Sequence, residues 1–234
     1  MRLLPIAALA ILSLSGAASS SQMSTSSEVR AKLAYPKPPQ HNRTPAAVLW
    51  LKPILQTPST PFVSSKAYTL LQKNRTFKPH VLIVPVGAVV QFPNADPFFH
   101  NVFSLFDGKR FDLGLYEAGS TKSVTFSREG VSYIFCNIHP EMSAAILALS
   151  TRLYAAADAK GNFQITDVAT GDYEMHLWVE GVQQSTLNGL TRRVHLNTGG
   201  LNLGKLEVPG VVSTTPSHTN MYGKPYDRQA TPTY

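Results

Sequence analysis

The sequence predicts an all-β protein made of a β-sandwich followed by a smaller β-sandwich. The 234-residue chain contains 17 prolines and 15 glycines, which interrupt helices and favour turns. Short apolar or alternating segments recur roughly every eight to twelve residues, a spacing typical of sandwich strands. Turn dipeptides such as Asp107-Gly108 separate them. No segment has the periodicity of an amphipathic helix.

The first 18 residues are predicted to be a secretion signal. Arg2 precedes an apolar run at 3–14, and small residues follow at 15–18. The run is too short to span a bilayer comfortably, and no other segment is long and apolar enough. We therefore expect an exported protein of the periplasm or cell exterior, without a transmembrane segment after cleavage. Cleavage after residue 18 would remove one charged residue, Arg2, and lower the formal net charge from +7 to +6.

The order of polar and apolar segments predicts five regions along the chain. They are a signal peptide (1–18), a flexible linker rich in Ser and Pro (19–45), a first sandwich (46–150), a second sandwich (151–209) and an extended tail (210–234). The first sandwich is expected to begin with the apolar strand 46–51. In the second, residues 173–179 alternate cleanly between apolar and other residues, as in a strand with one buried face.

The single cysteine is the main indicator of function. An exported protein usually pairs its cysteines or has none, so one thiol needs an occupant such as a metal. Cys136 begins the pattern C-x-x-H-x-x-M with His139 and Met142. With 7 His and 5 Met in 234 residues, this pattern arises by chance about once in 1,500. His100 stands before another predicted strand, and the loops of a sandwich cluster at its ends.

This donor set predicts the chemistry of the site. Two imidazoles, one thiolate and a weak thioether are the ligands of a trigonal blue-copper centre. They leave no position for a substrate, which indicates one-electron transfer by one copper per chain and not an enzyme. The chain has one cysteine and no H-x-H pair, so neither a binuclear copper site nor the further centres of a multicopper oxidase can form.

Two segments around these residues resemble the cupredoxins. They are FPNADPFFHNVFS at 92–104 and YIFCNIHPEM at 133–142. The chain is most similar to plastocyanin-like and amicyanin-like proteins and to exported blue-copper proteins of the methylamine-utilisation type. The resemblance covers about 46–149 and implies a Greek-key sandwich. It also implies that the copper ligands are His100, Cys136, His139 and Met142.

The same resemblance implies roles for residues beside the ligands. Asn101 would tie the two ligand segments together by hydrogen bonding, and Phe98 and Pro140 would lie on the surface where redox partners dock. The partners would be a donor and an acceptor protein of unidentified nature. Glu141 departs from this pattern by placing a charge inside the ligand loop.

The second unit and the scattered charges leave two other functions open. Residues 159–179 (AKGNFQITDVATGDYEMHLWV) resemble carboxypeptidase-regulatory or transthyretin-like sandwiches, which implies a spacer or adhesion module. One alternative is therefore a structural cell-surface module with a vestigial copper site. The other is a periplasmic protein that stores or delivers copper through the same ligands. The basic residues form no stripe interleaved with aromatics, so nucleic acid is not an expected partner.

Overall fold

The computed structural model describes residues 27–35, 45–55, 67–105, 108–209 and 220–225. The predicted signal peptide lies outside these residues. The predicted all-β class is confirmed, since one short helix, α1 (Gln184–Asn188), accompanies 17 strands in this part of the chain. None of the described helices has the length and apolar character needed to cross a bilayer. The strands are β1 (Ser27–Ala34), β2 (Ala47–Pro53), β3 (Tyr68–Thr69), β4 (Leu71–Gln72), β5 (Phe77–Lys78), β6 (Val81–Pro85), β7 (Ala88–Pro93), β8 (His100–Ser104), β9 (Phe111–Tyr116), β10 (Thr121–Phe126), β11 (Gly130–Phe135), β12 (Ser143–Leu149), β13 (Tyr154–Ala156), β14 (Asn162–Val168), β15 (Gly171–Val179), β16 (Arg192–Leu196) and β17 (Leu201–Glu207).

Strands β3 to β12 form one sandwich, which we call the inner unit. Its larger sheet has the strand order β6-β12-β11-β8-β9, and its smaller sheet has the order β10-β7-β3. Apolar side chains from both sheets fill the space between them, among them Phe92, Val102, Phe126, Ile134 and Ile146. The short pair β4 and β5 forms a separate hairpin.

Strands β1, β2 and β13 to β17 form a second sandwich, which we call the outer unit. One sheet has the order β13-β2-β15-β16 and the other β14-β1-β17. Their shared core includes Val29, Leu49, Phe163, Ile165 and Leu177. As predicted from the alternation of 173–179, every second residue of β15 from Tyr173 onward is buried.

The assignment of the N-terminal segments was wrong in two places. The predicted linker contains β1, which lies between β14 and β17 in one sheet of the outer unit. The strand predicted to open the first sandwich is β2, and it pairs with β13 and β15 of the outer unit instead. Both errors arise because strand partners far apart in sequence leave no local signal. The inner unit is therefore inserted between β2 and β13.

Strands β8 and β12 of the five-stranded sheet are buried on both faces, whereas the edge strand β9 is partly exposed. In β12, Ile146 points into the inner core, whereas Leu147 points the other way and packs with the outer unit. Trp178 lies on the face of β15 opposite to Tyr173, yet it is 0% exposed. Its Nε1–H donates to the Tyr133 hydroxyl at 3.1 Å. The second face of β15 is therefore covered by this sheet at Trp178, whereas Asp172, Glu174 and His176 on the same face are exposed or half-buried.

Polar contacts also join the two units. Lys52 Nζ lies 3.0 Å from Glu129 Oε2. His80 Nε2 lies 2.5 Å from Glu180 Oε1, and the Glu180 side chain is 9% exposed. These pairs connect loops and strand ends of the inner unit to β2 and to the end of β15. These polar pairs supplement the apolar contact between the two units.

The predicted extended tail is not extended throughout. Residues 220–225 form a turn in which the Asn220 N–H donates to the Lys224 carbonyl at 2.8 Å. The turn forms because the Asn220 side chain also accepts backbone N–H groups, as asparagine commonly does. The rest of 210–234, apart from this turn, lies outside the described residues.

Candidate metal centre

Two neighbouring strands of the five-stranded sheet bring the predicted donors to one end of the inner unit. His100 is the first residue of β8, and Cys136 directly follows β11. The two strands are adjacent through the pairing of Phe135 with Phe103. A short loop then returns to β12, and it is closed by the Met142 N–H, which donates to the His139 carbonyl at 3.0 Å.

Three donor atoms converge in a buried site. Cys136 Sγ lies 3.8 Å from His100 Nδ1 and 3.6 Å from His139 Nδ1. Metal–nitrogen bonds of about 2.0 Å and metal–sulfur bonds of about 2.3 Å place nitrogen and sulfur roughly 3.8 Å apart around a trigonal ion. The three residues are 0%, 0% and 5% exposed, in the order Cys136, His100, His139. The donor set and its spacing therefore fit one small metal ion.

Met142 lies in the same loop and is 0% exposed. Its backbone carbonyl accepts the Cys136 N–H at 3.4 Å, which holds the two ends of the loop together. The thioether as a fourth donor stays a prediction.

Burial keeps the two loop donors uncharged when no metal is present. It raises the pKa of the Cys136 thiol, although hydrogen bonds from the backbone N–H groups of Asn101, Ile138 and His139 act in the opposite direction. The nearby Glu141 carboxylate adds to the rise. Burial also lowers the pKa of His139, and electrostatic interactions with His100 and Arg75 lower it further. A bound cation would displace the thiol proton and meet an imidazole with a free lone pair.

The other nitrogen of His100 contacts a carboxylate that the sequence analysis missed. His100 Nε2 lies 2.8 Å from Asp96 Oδ2, and both residues are buried. The two oxygens of Asp96 also accept the backbone N–H groups of Asn74 at 2.6 Å and Arg75 at 3.0 Å. Burial alone would raise the pKa of Asp96, but the hydrogen bonds from Arg75, His100 and Asn74 leave it below its usual value.

This contact orients His100. An ionised Asp96 favours the tautomer with the proton on Nε2, so the lone pair of Nδ1 faces Cys136. The available sequence signal is an acidic residue four positions before the histidine, inside the motif FPNADPFFHNVFS.

Asn101 lies between the two ligand segments. Its Oδ1 accepts the Asn137 N–H at 3.3 Å, next to Cys136. Its Nδ2 donates to Asp112 Oδ1 at 2.7 Å, a contact with β9 that the sequence analysis did not anticipate. The side chain thus links β8, β9 and the ligand loop.

Phe98 covers the two histidines on their outer side. Its ring centroid lies 5.2 Å from that of His100 and 5.6 Å from that of His139. The Arg75 guanidinium lies over the Phe98 ring, 5.2 Å from its centroid. Pro140 is exposed beside the buried His139. A docking role for Phe98 and Pro140 stays a prediction.

Comparison with known families gives one match, in the outer unit. Residues 152–198 match the family described as polysaccharide lyase family 4, domain II. The match covers about a fifth of the chain, and the resemblance to carboxypeptidase-regulatory or transthyretin-like sandwiches stays a prediction. No curated protein sequence matches the chain.

Solved structures similar to part of the chain include cupredoxins. A purple cupredoxin from Nitrosopumilus maritimus is 23% identical, with a TM-score of 0.32 over 35% of this chain and 99% of that one. A copper-containing nitrite reductase from Thermus scotoductus is 24% identical, with a TM-score of 0.35 over 39% of this chain and 26% of that one. A reduced amicyanin variant is 23% identical, with a TM-score of 0.34 over 39% and 95%. The present chain thus spans about a quarter of the reductase.

Fold and site together define an all-β protein with a buried His-Cys-His group that can hold a metal ion. Within the described ranges, this is the one cluster of three or more His, Cys, Asp or Glu donors close enough together to share an ion.

Proposed function

We propose that the protein is a type 1 copper protein that carries single electrons between exported redox partners. The observation that supports this most is the convergence of His100 Nδ1, His139 Nδ1 and Cys136 Sγ at 3.6 to 3.8 Å in a dry site. Two imidazoles and a thiolate are the equatorial ligands of blue copper, and bound copper would supply the one-electron step.

Each side chain has a separate task in this proposal. His100 and His139 would donate nitrogen lone pairs, Cys136 would bind as the thiolate, and Met142 would be a fourth, weak donor. His100 begins β8 and Cys136 directly follows the adjacent strand β11, so the sheet would let these donors shift little when the charge of the ion changes. With four donors around the ion, no coordination position would remain for a substrate, so we expect electron transfer and not an enzyme.

The partners and location belong to the same proposal. Phe98 and Pro140 lie beside His139 at the end of the inner unit, and Phe99 is 48% exposed nearby. This apolar surface would contact the donor and acceptor proteins. Export rests on the character of residues 1–18.

Absorption and electron paramagnetic resonance spectra of the copper-loaded full chain test the proposal. We expect an intense thiolate-to-copper charge-transfer band and a reversible reduction potential. Cys136→Ser and His139→Gln should abolish the band. His195→Gln is the matched control, because the His195 side chain is 68% exposed and lies in the outer unit.

Two outcomes would contradict the proposal. A copper-loaded protein without the charge-transfer band would exclude a blue site. A protein that releases its copper rapidly to a Cu(I) chelator would be a storage or delivery protein and not an electron carrier.

A further inference from the structure

A turn near the C-terminus contacts the ligand loop. The Met221 N–H donates to Asn137 Oδ1 at 3.0 Å, across 84 residues of sequence. Asn137 is the residue directly after Cys136. A segment outside both sandwiches therefore reaches the immediate neighbour of the cysteine donor.

The turn is shaped by its own asparagine. Asn220 Oδ1 accepts the N–H groups of Tyr222 and Lys224 at 3.0 Å each. The Gly223 N–H donates to the Asn220 carbonyl at 2.9 Å. Tyr222, Gly223 and Lys224 are exposed, whereas Asn220 and Met221 are half-buried. The turn thus presents its Met221 side to the loop with the donor N–H already oriented.

Asn137 is held from two directions. Its N–H donates to Asn101 Oδ1 at 3.3 Å, and its side chain accepts from Met221 at 3.0 Å. The carbonyl of Asn137 shares a peptide plane with the Ile138 N–H, one of the groups that hydrogen-bond the Cys136 sulfur. A rotation of Asn137 would therefore redirect a hydrogen bond to the sulfur.

We propose that the 220–225 turn is a positioning element of the metal centre, acting through the Met221 N–H on Asn137. The turn fixes the peptide that donates to the Cys136 sulfur and restricts opening of the ligand loop. Hydrogen bonds to a thiolate ligand tune the potential of a blue-copper centre, and the residues that support ligands affect how tightly the metal is held. This inference rests on the proposed copper function.

Asn220→Ala tests the inference without altering the ligand loop. The change removes the acceptor of two turn N–H groups, so the Met221 N–H is no longer preoriented. In the copper-loaded full chain we expect a shifted charge-transfer band and about fivefold faster copper loss to a Cu(I) chelator, the effect of one neutral hydrogen bond. Asn202→Ala is the matched control, because exposed Asn202 accepts the Gly204 N–H at 2.9 Å in β17, away from the site. The control should match the unaltered protein.

A double-mutant cycle with Asn137→Ala separates this role from a general effect on folding. The two substitutions remove the same contact, so the double variant should release copper no faster than Asn137→Ala alone. The inference is overturned if Asn220→Ala keeps the band, the potential and the release rate of the unaltered protein, or if the two effects add. An unaltered protein without the blue band would overturn the proposed function as well, whereas a blue protein insensitive to Asn220→Ala overturns this inference alone.

Discussion

At the scale of single residues, Asp96 connects the metal centre to the rest of the inner unit. Its carboxylate accepts from His100 and from two backbone N–H groups of the turn between β4 and β5. Asn74 and Arg75 of that turn have φ angles of 56° and 53°, a region that residues other than glycine rarely adopt. The carboxylate therefore holds both a proposed ligand and a turn of unfavourable backbone conformation.

Asp96→Asn should weaken copper binding and raise the reduction potential. The amide lacks the negative charge that favours electron donation by His100 and stabilises Cu(II). Loss of such a partner typically lowers metal affinity about 10- to 100-fold. Competition with a chelator and a potentiometric titration measure the two effects.

Asp158→Asn is the control for this prediction. Asp158 also accepts backbone N–H groups in a turn, from Lys160 and Asn162 at 2.8 Å each, but it lies in the outer unit. Equal affinity and potential in Asp96→Asn and the unaltered protein would show that the carboxylate does not act on His100.

The sequence predicted the residues that meet at the site better than it predicted the residues that hold them in place. Cys136, His139 and Met142 share a short loop, so their spacing alone indicates a site. Asp96 acts on His100 only because a turn 21 and 22 residues before it folds back onto its carboxylate. The contact between Asn137 and the C-terminal turn spans 84 residues and has no local signature at all.

At the scale of elements, β12 determines how the two units fit together. The strand is apolar along almost its whole length, and six of its seven residues are buried. A continuous apolar run is typical of a strand covered on both faces, whereas a strand with one wet face alternates. The apolar run indicates a covered strand, but it does not tell which other strands supply the second covering layer.

Leu147→Ala should destabilise the protein by about 2–5 kcal/mol, the usual cost of a cavity in a packed core. Leu147 is 0% exposed and packs with the outer unit. Because the side chain points away from the metal-binding core, the copper spectrum should stay unchanged. Urea unfolding followed by fluorescence measures the loss.

The control on the other sheet is Val89→Ala, since Val89 is 50% exposed. That change should alter the free energy of unfolding by less than about 0.5 kcal/mol. A similarly small effect of Leu147→Ala would mean that the two units do not pack against each other in solution.

At the scale of the whole molecule, the chain is a nested arrangement and not two sandwiches in series. The outer unit takes β1 and β2 from before the inner unit and β13 to β17 from after it. The fold class and most strands could be predicted from the sequence, because alternating apolar residues and turn residues are local signals. The sequence does not indicate which unit each strand joins, because nothing in β1 or β2 identifies pairing partners more than a hundred residues away.

Val29→Asp distinguishes the nested arrangement from a flexible linker. Val29 is 0% exposed in β1, at the centre of a three-stranded sheet. An unpaired buried charge there should cost more than about 3 kcal/mol and lower the melting temperature of the full chain. Differential scanning calorimetry measures the change.

Lys32→Asp on the same strand is the control, because the Lys32 side chain is exposed on the opposite face. It should leave the melting temperature nearly unchanged. An unchanged melting temperature in Val29→Asp would mean that 27–34 contribute nothing to the folded core.

Nesting also dictates the order in which the protein can be completed as it is synthesised. The Ser27 hydroxyl donates to the carbonyl of Asn197, which the ribosome adds 170 residues later. The inner unit is fully translated before β13. If it folds at that point, one apolar face of its five-stranded sheet is exposed to solvent. Sheets left uncovered in this way are prone to aggregate. The strands β13 to β17 therefore have to join β1 and β2 before this face is protected from other chains.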